Sequence, residues 1–145
     1  MDPEGVRKFR EILRIFEREL DKQNNSSCCC GVTLSQCHAL MELTKKDSVN
    51  LNQLSEKLSI DKSAVSRTIE TLVTKELVVR IIPKENRRIT NLKLTKTGVN
   101  VCHQINTGND DYYFKALKSI STEDLSIFLR SFENLATQMA NMNSK

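Results

Sequence analysis

Near the start of the chain, apolar residues recur at intervals of three and four, as Val6, Phe9, Leu13, Phe16 and Leu20, with charged residues between them. That spacing is the period of an α-helix with one apolar face, and Pro3 suits its first turn, where no backbone N–H is needed. The pattern predicts a helix over residues 3–22. It gives way to the polar run Gln23-Asn24-Asn25-Ser26-Ser27, followed by Cys28, Cys29, Cys30 and Gly31 in a loop. A second stripe, Leu34, Cys37, Leu40, Met41 and Thr44, predicts a helix capped by Thr33 or Ser35 and reaching about Lys45.

After a turn at Asp47-Ser48, Asn50 with Gln53 three residues on has the form of a capping box, opening a short helix with Leu51, Leu54 and Leu58 inward. Ser59-Ile60-Asp61 is a tight turn, and Asp61 can cap a further helix to about Lys75. Two helices joined so briefly predict a helix-turn-helix. In the second of them Val65, Ile69, Leu72 and Val73 share the inner face, while Ser63, Ser66, Arg67, Glu70 and Thr71 share the outer one. Short hydroxyl side chains beside one long bidentate donor suit a helix that lies in a major groove.

The period then changes. Residues 77–82 are a mostly β-branched run closed by Pro83, and residues 89–94 alternate apolar and polar, so two strands are expected around the basic turn Lys84-Glu85-Asn86-Arg87-Arg88. Thr95 caps a long helix to about Lys118, with Gly108-Asn109 as a candidate kink. Ser121 and Asp124 repeat the capping-box spacing ahead of a last amphipathic helix carrying Leu125, Phe128, Leu129, Phe132, Leu135, Ala136 and Met139.

Composition narrows the function. At 145 residues the chain has room for a single domain, and four glycines and two prolines favour helices over a turn-rich β fold. No run of 18 or more apolar residues is present, and the acidic start Asp2-Pro3-Glu4 is unlike a signal peptide, so a cytoplasmic protein with no membrane partner is expected. No phosphate-cradling glycine loop, His-Glu-x-x-His or Gly-x-Ser-x-Gly motif occurs, and the two histidines lack a carboxylate partner at motif spacing, so no enzyme is expected.

The net charge of +4 is too small to name a partner, but its distribution is uneven. Residues 51–96 hold ten basic and five acidic residues, against twelve and thirteen elsewhere. The excess positive charge lies in the helix-turn-helix and the hairpin, as neutralising DNA phosphates requires.

The order of elements resembles the MarR family of winged helix-turn-helix transcriptional regulators. Gly31-Val32-Thr33-Leu34-Ser35-Gln36 resembles the family's Leu-Thr-x-x-Gln stretch, Leu54-Ser55-Glu56-Lys57-Leu58 its Leu-Ala-x-x-Leu segment, and Lys62 to Leu72 its recognition helix. Asn86 to Gly98 is similar to the family's wing signature, Asp-x-Arg followed by Leu-Thr-x-x-Gly. Asn86 stands where the family has an acidic residue, so the salt bridge that would position Arg88 is lost or replaced by a neutral hydrogen bond, unless neighbouring Glu85 stands in.

The resemblance implies a mainly α fold with a small β-hairpin wing. Residues 1–145 would form one domain, with a winged DNA-binding lobe over 33–96 and dimerisation helices over 3–22 and 97–142. It further implies a homodimer on double-stranded DNA, reading a pseudo-palindromic operator as a regulator, most simply a repressor. Lys62, Ser63, Ser66, Arg67 and Thr71 are the candidate contacts from the recognition helix, and Lys84, Arg87 and Arg88 those from the wing, Arg88 in the minor groove or on phosphate. The competing reading is a winged-helix protein-interaction module that binds no DNA.

Every cysteine and histidine falls in three places: Cys28, Cys29 and Cys30 in the loop, Cys37 and His38 in the second helix, Cys102 and His103 in the long helix. In the implied fold these places converge where the family binds effectors. Thiolates with imidazole suit a soft ion, Zn²⁺, Cu(I) or arsenite, while a reactive thiol would serve as an oxidation sensor. Cys37 and Cys102 also lie on apolar stripes and read equally as small buried hydrophobes, with His38 and His103 at the surface.

Overall fold

The computed structural model describes residues 2–26 and 30–144, apart from the side chain of residue 26. Six helices and three strands follow in the order α1 (Pro3–Ser26), α2 (Leu34–Thr44), β1 (Val49–Asn50), α3 (Leu51–Leu58), α4 (Lys62–Thr74), β2 (Val78–Ile81), β3 (Asn91–Leu94), α5 (Lys96–Leu117) and α6 (Thr122–Asn143) among the described residues. The architecture is the mainly α winged helix-turn-helix that the periodicity predicts.

Local hydrogen bonds start the helices. Thr33, not Ser35, caps α2: its hydroxyl accepts from the Gln36 N–H while the Gln36 side chain accepts from the Thr33 N–H. Asn50 and Gln53 form the same reciprocal box at α3, Asp61 caps α4 through the Ala64 N–H, and Thr95 caps α5 through the Gly98 N–H. At α6 the expected box is half made. Ser121 accepts from the Asp124 N–H, but the Asp124 carboxylate accepts from the Ser121 hydroxyl instead of its backbone. An Asp side chain is one methylene shorter than the Glu of a full box.

Several boundaries differ from expectation. Helix α1 runs on through Gln23, Asn24 and Asn25, since these residues weaken a helix by only tenths of a kcal/mol each and no Gly or Pro stops it before Gly31. The strands are shorter, at residues 78–81 and 91–94, because Ile89 and Thr90 belong to the wing loop. Helix α5 passes through Gly108-Asn109 without interruption, so no break forms there. A third strand, β1, completes an antiparallel sheet in the order β1-β3-β2, pairing Val49 with Leu92 and Asn50 with Asn91.

The core lies in one lobe. Leu40 of α2, Leu54 of α3, Val65, Ile69 and Leu72 of α4, Val78 of β2 and Leu92 of β3 are its most deeply buried side chains. Fully burying such a side chain stabilises by roughly 1.5–3 kcal/mol. Cys102 and Ile105 add the first half of α5, so the lobe's core continues past residue 96 into that helix. Helix α6, by contrast, buries none of its side chains in the protomer.

Candidate nucleic-acid interface

The turn between α3 and α4 is pinned at three points. Ser59 takes the left-handed conformation at φ 52°, its N–H reaching the Ser55 and Glu56 carbonyls. Ile60 donates its N–H to the Ser55 carbonyl, and the buried Ser55 hydroxyl donates back to the Ile60 carbonyl at 2.5 Å. With Val65, Ile69 and Leu72 held in the core, α4 presents Lys62, Ser63, Arg67, Glu70 and Thr71 to solvent, with Ser66 half-buried at the margin. The predicted outer face is therefore the exposed one. The hydroxyls of Thr68, Thr71 and Thr74 donate to the carbonyls of Ala64, Arg67 and Glu70 within the helix, and in this arrangement the Thr71 oxygen offers an acceptor to a ligand.

Lys84, Arg87 and Arg88 are exposed on the wing loop. Asn86 accepts from the Arg88 N–H at 3.1 Å, and the Ile89 N–H reaches the Asn86 carbonyl at 3.3 Å. The neutral amide thus shapes the turn through the Arg88 backbone, in the manner of an Asx-turn. No ion pair joins Glu85 to Arg88 among the described residues, so the guanidinium is not held by that carboxylate.

Two connections were invisible in the sequence. Arg80 of β2 donates to Glu70 of α4 at 2.8 Å, tying the wing to the recognition helix. Lys75, just beyond α4, donates to the Gly31 carbonyl and to Gln36 Oε1, the latter at 3.0 Å. Because Gln36 also closes the α2 cap, one side chain links the start of α2 to the end of α4. Neither pair has a local spacing that sequence periodicity could register.

The cysteines divide. Cys28 and Cys29 lie outside the described residues. Cys30 Sγ sits 3.2 Å from Gln104 Oε1 on α5, Cys37 is half-buried, and Cys102 is buried with its Sγ 4.0 Å from the Leu40 carbonyl. Both His38 and His103 are exposed. No three His, Cys, Asp or Glu side chains converge as a metal site among the described residues.

Burial raises the pKa of Cys37; for Cys102 burial comes first and the nearby Cys37 adds to it, against a weaker backbone hydrogen bond. Both groups therefore favour the uncharged thiol, the less nucleophilic form. Their contribution to folding is complete below the ordinary thiol range and is lost as pH rises through the elevated folded-state values. In peptide-resolved labelling at pH 7, a thiol reagent should modify Cys37 and Cys102 more slowly than free cysteine. Labelling of either at the free-cysteine rate would contradict this burial argument.

Residues 32–90, which contain α2, the helix-turn-helix and most of the wing, match the MarR family. The HTH-type transcriptional repressor MdtR of Bacillus subtilis (strain 168) is 26% identical over 117 residues, covering 81% of this chain and 71% of its own. Among solved structures, a MarR family protein from Bacillus stearothermophilus superposes with a TM-score of 0.82 at 19% identity, across 97% of this chain and 99% of that one. A cysteine-to-serine mutant of MarR from E. coli, complexed with operator DNA, superposes with a TM-score of 0.75 at 20% identity, across 93% and 99%. With its capped helix-turn-helix, its Asn86–Gly98 wing and a likeness that runs nearly end to end, the chain has the winged helix-turn-helix fold of the MarR proteins, and its residues 32–90 match the MarR family.

Proposed function

We propose that this chain is a MarR-family regulator and acts as a homodimeric repressor on a pseudo-palindromic duplex operator, with α4 in the major groove and the wing arginines on the flanking minor groove or phosphates. One observation carries the reading. The segment that holds the charge excess also displays Lys62, Ser63 and Arg67 on α4 and Lys84, Arg87 and Arg88 on the wing, all exposed and none in an ion pair among the described residues. Operator DNA in the MarR complex and the repressor MdtR support the same assignment.

A second copy of this chain is the partner the surface asks for. The protomer exposes 11175 Å², whereas a compact monomer of its 16.6 kDa would expose about 7,600 Å². Exposed apolar side chains gather on α1, the end of α5 and α6, where Phe9, Phe16, Phe114, Phe128, Leu129 and Phe132 are all exposed. Large exposed apolar patches on a protein surface mark an interface. We assign α1, α6 and the second half of α5 to dimerisation and the lobe from α2 through the first half of α5 to DNA. The two α4 helices of the dimer would enter successive major grooves roughly 34 Å apart. No described helix is long and apolar enough to cross a membrane. A regulator working on DNA in this way would act in the cytoplasm.

The test is salt dependence. If Lys62, Lys84, Arg87 and Arg88 of both protomers neutralise phosphates, the logarithm of affinity should fall against that of salt with a slope of about −7. Arg88→Ala should weaken binding to all duplexes alike and make that slope shallower by about 2 for the dimer, measured by fluorescence anisotropy. Absence of duplex binding at low salt would overturn the reading and return the wing to a protein-interaction role.

A further inference from the structure

One group on the outer face of α4 carries the wrong sign for a DNA surface. Glu70 lies three residues on from Arg67 and seven from Ser63, on the same side of the helix, and its side chain is 66% exposed. A bare carboxylate there would face phosphates. It is not bare, because Arg80 Nη2 donates to Glu70 Oε2 at 2.8 Å.

The pairing follows from the pleat of β2. Val78 is buried against the core, and Arg80, two residues on, leaves the strand on the same side one step farther out, which brings its guanidinium to α4. The bond occupies one carboxylate oxygen. No hydrogen bond to Oε1 is made among the described residues, and no ion pair joins Glu70 to Arg67. The pair is neutral overall, so it adds little repulsion toward phosphates while keeping one directed acceptor on the helix face.

We propose that Glu70, positioned by Arg80, determines base specificity by accepting a hydrogen bond from the exocyclic amino group of a cytosine in the major groove. The inference rests on the DNA-binding reading above. Cytosine fits better than adenine: the adenine amino group sits beside the N7 acceptor, which calls for a second donor that a carboxylate lacks. Arg80 acts through Glu70 as a positioning residue, and a surface ion pair of this exposure stabilises the fold too little to account for its placement by stability alone.

Binding-site selection from a randomised duplex pool tests this with the full-length wild type, Glu70→Gln, Arg80→Ala and Arg80→Lys. Wild type should prefer cytosine about tenfold over other bases at one symmetry-related pair of positions, the discrimination one good charged contact supplies. Glu70→Gln should shift that position alone toward adenine, because the amide supplies the missing donor. Arg80→Ala should relax the same position to within about threefold, and Arg80→Lys should recover part of it. Thermal melting of each variant separates these effects from misfolding, which would lower affinity evenly at every position. Should Glu70→Gln enrich the wild-type sequence unchanged, the Glu70 assignment is wrong while the DNA-binding one stands. If wild type enriches nothing, both fall.

Discussion

A Phe132→Asp protein should sediment as a single chain and bind a full operator at least a hundredfold more weakly than wild type, the loss expected when two linked half-site contacts become one. Phe132 stacks on Phe128 with ring centroids 5.5 Å apart and meets Phe16 edge-on at 6.2 Å, so it joins α6 to α1 at the centre of the apolar face. It is nevertheless 44% exposed in the protomer, and Leu129 beside it is 50% exposed. In the proposed dimer a second copy closes over these groups. A carboxylate placed there would be buried without a partner, and the effective penalty is several kcal/mol for each ion, incurred twice in a symmetric dimer.

The lobe's own core should survive, since Leu40, Leu54 and Ile69 are buried far from α6 in the fold. Circular dichroism would therefore report a helical chain, and a half-site duplex would bind both proteins with similar affinity. Sedimentation of Phe132→Asp as a dimer, with operator affinity intact, would show that this face does not carry assembly. Phe114→Asp offers an independent check, because Phe114 is 69% exposed at the far end of α5.

What could be read from the sequence was what has a local spacing. The caps at Thr33, Asn50, Asp61 and Thr95 depend on a side chain and a backbone N–H three residues apart; the last three form where the pattern placed them, and Thr33 is one of the two positions it offered for α2. The two faces of α4 likewise follow from the helical period alone. Strand β1 escaped because two residues hold no period, and Asn50 was already accounted for as a cap although it also pairs with Asn91. Glu70 and Arg80 are ten residues apart across a turn, and Lys75 reaches back 39 residues to Gln36. Such pairs exist only once the helices and strands have packed. The cysteines show the same limit. Their presence suggests soft-ligand chemistry, and the burial that raises the pKa of Cys37 and Cys102 is a property of how α2 meets α5.

Gly98→Ala separates two opposed expectations by sign. Gly98 lies in the first turn of α5 without a left-handed backbone, so helix propensity alone would have alanine stabilise the protein by roughly 0.8–1.0 kcal/mol. Packing argues the reverse. A Cβ at this position would clash with the Leu77 carbonyl oxygen and stand 3.3 Å from Leu94 Cδ2. The obstacle is backbone, and that carbonyl already accepts the Thr95 N–H at 3.0 Å while the Thr95 hydroxyl donates to the Glu76 carbonyl at 2.7 Å. Leu77 cannot recede without breaking the junction that seats the wing on α5.

Overpacking of this kind costs about 1–3 kcal/mol, and a contact this short belongs at the upper end or beyond it, so Gly98→Ala should melt about 10 °C below wild type. Because Leu77 leads directly into β2, the same displacement tilts the strand that carries Arg80 and the hairpin that carries Arg87 and Arg88. Operator affinity should therefore fall even at temperatures where the variant is fully folded. A melting temperature at or above wild type would mean that α5 can shift away from Leu77, and that the wing's position does not depend on this contact.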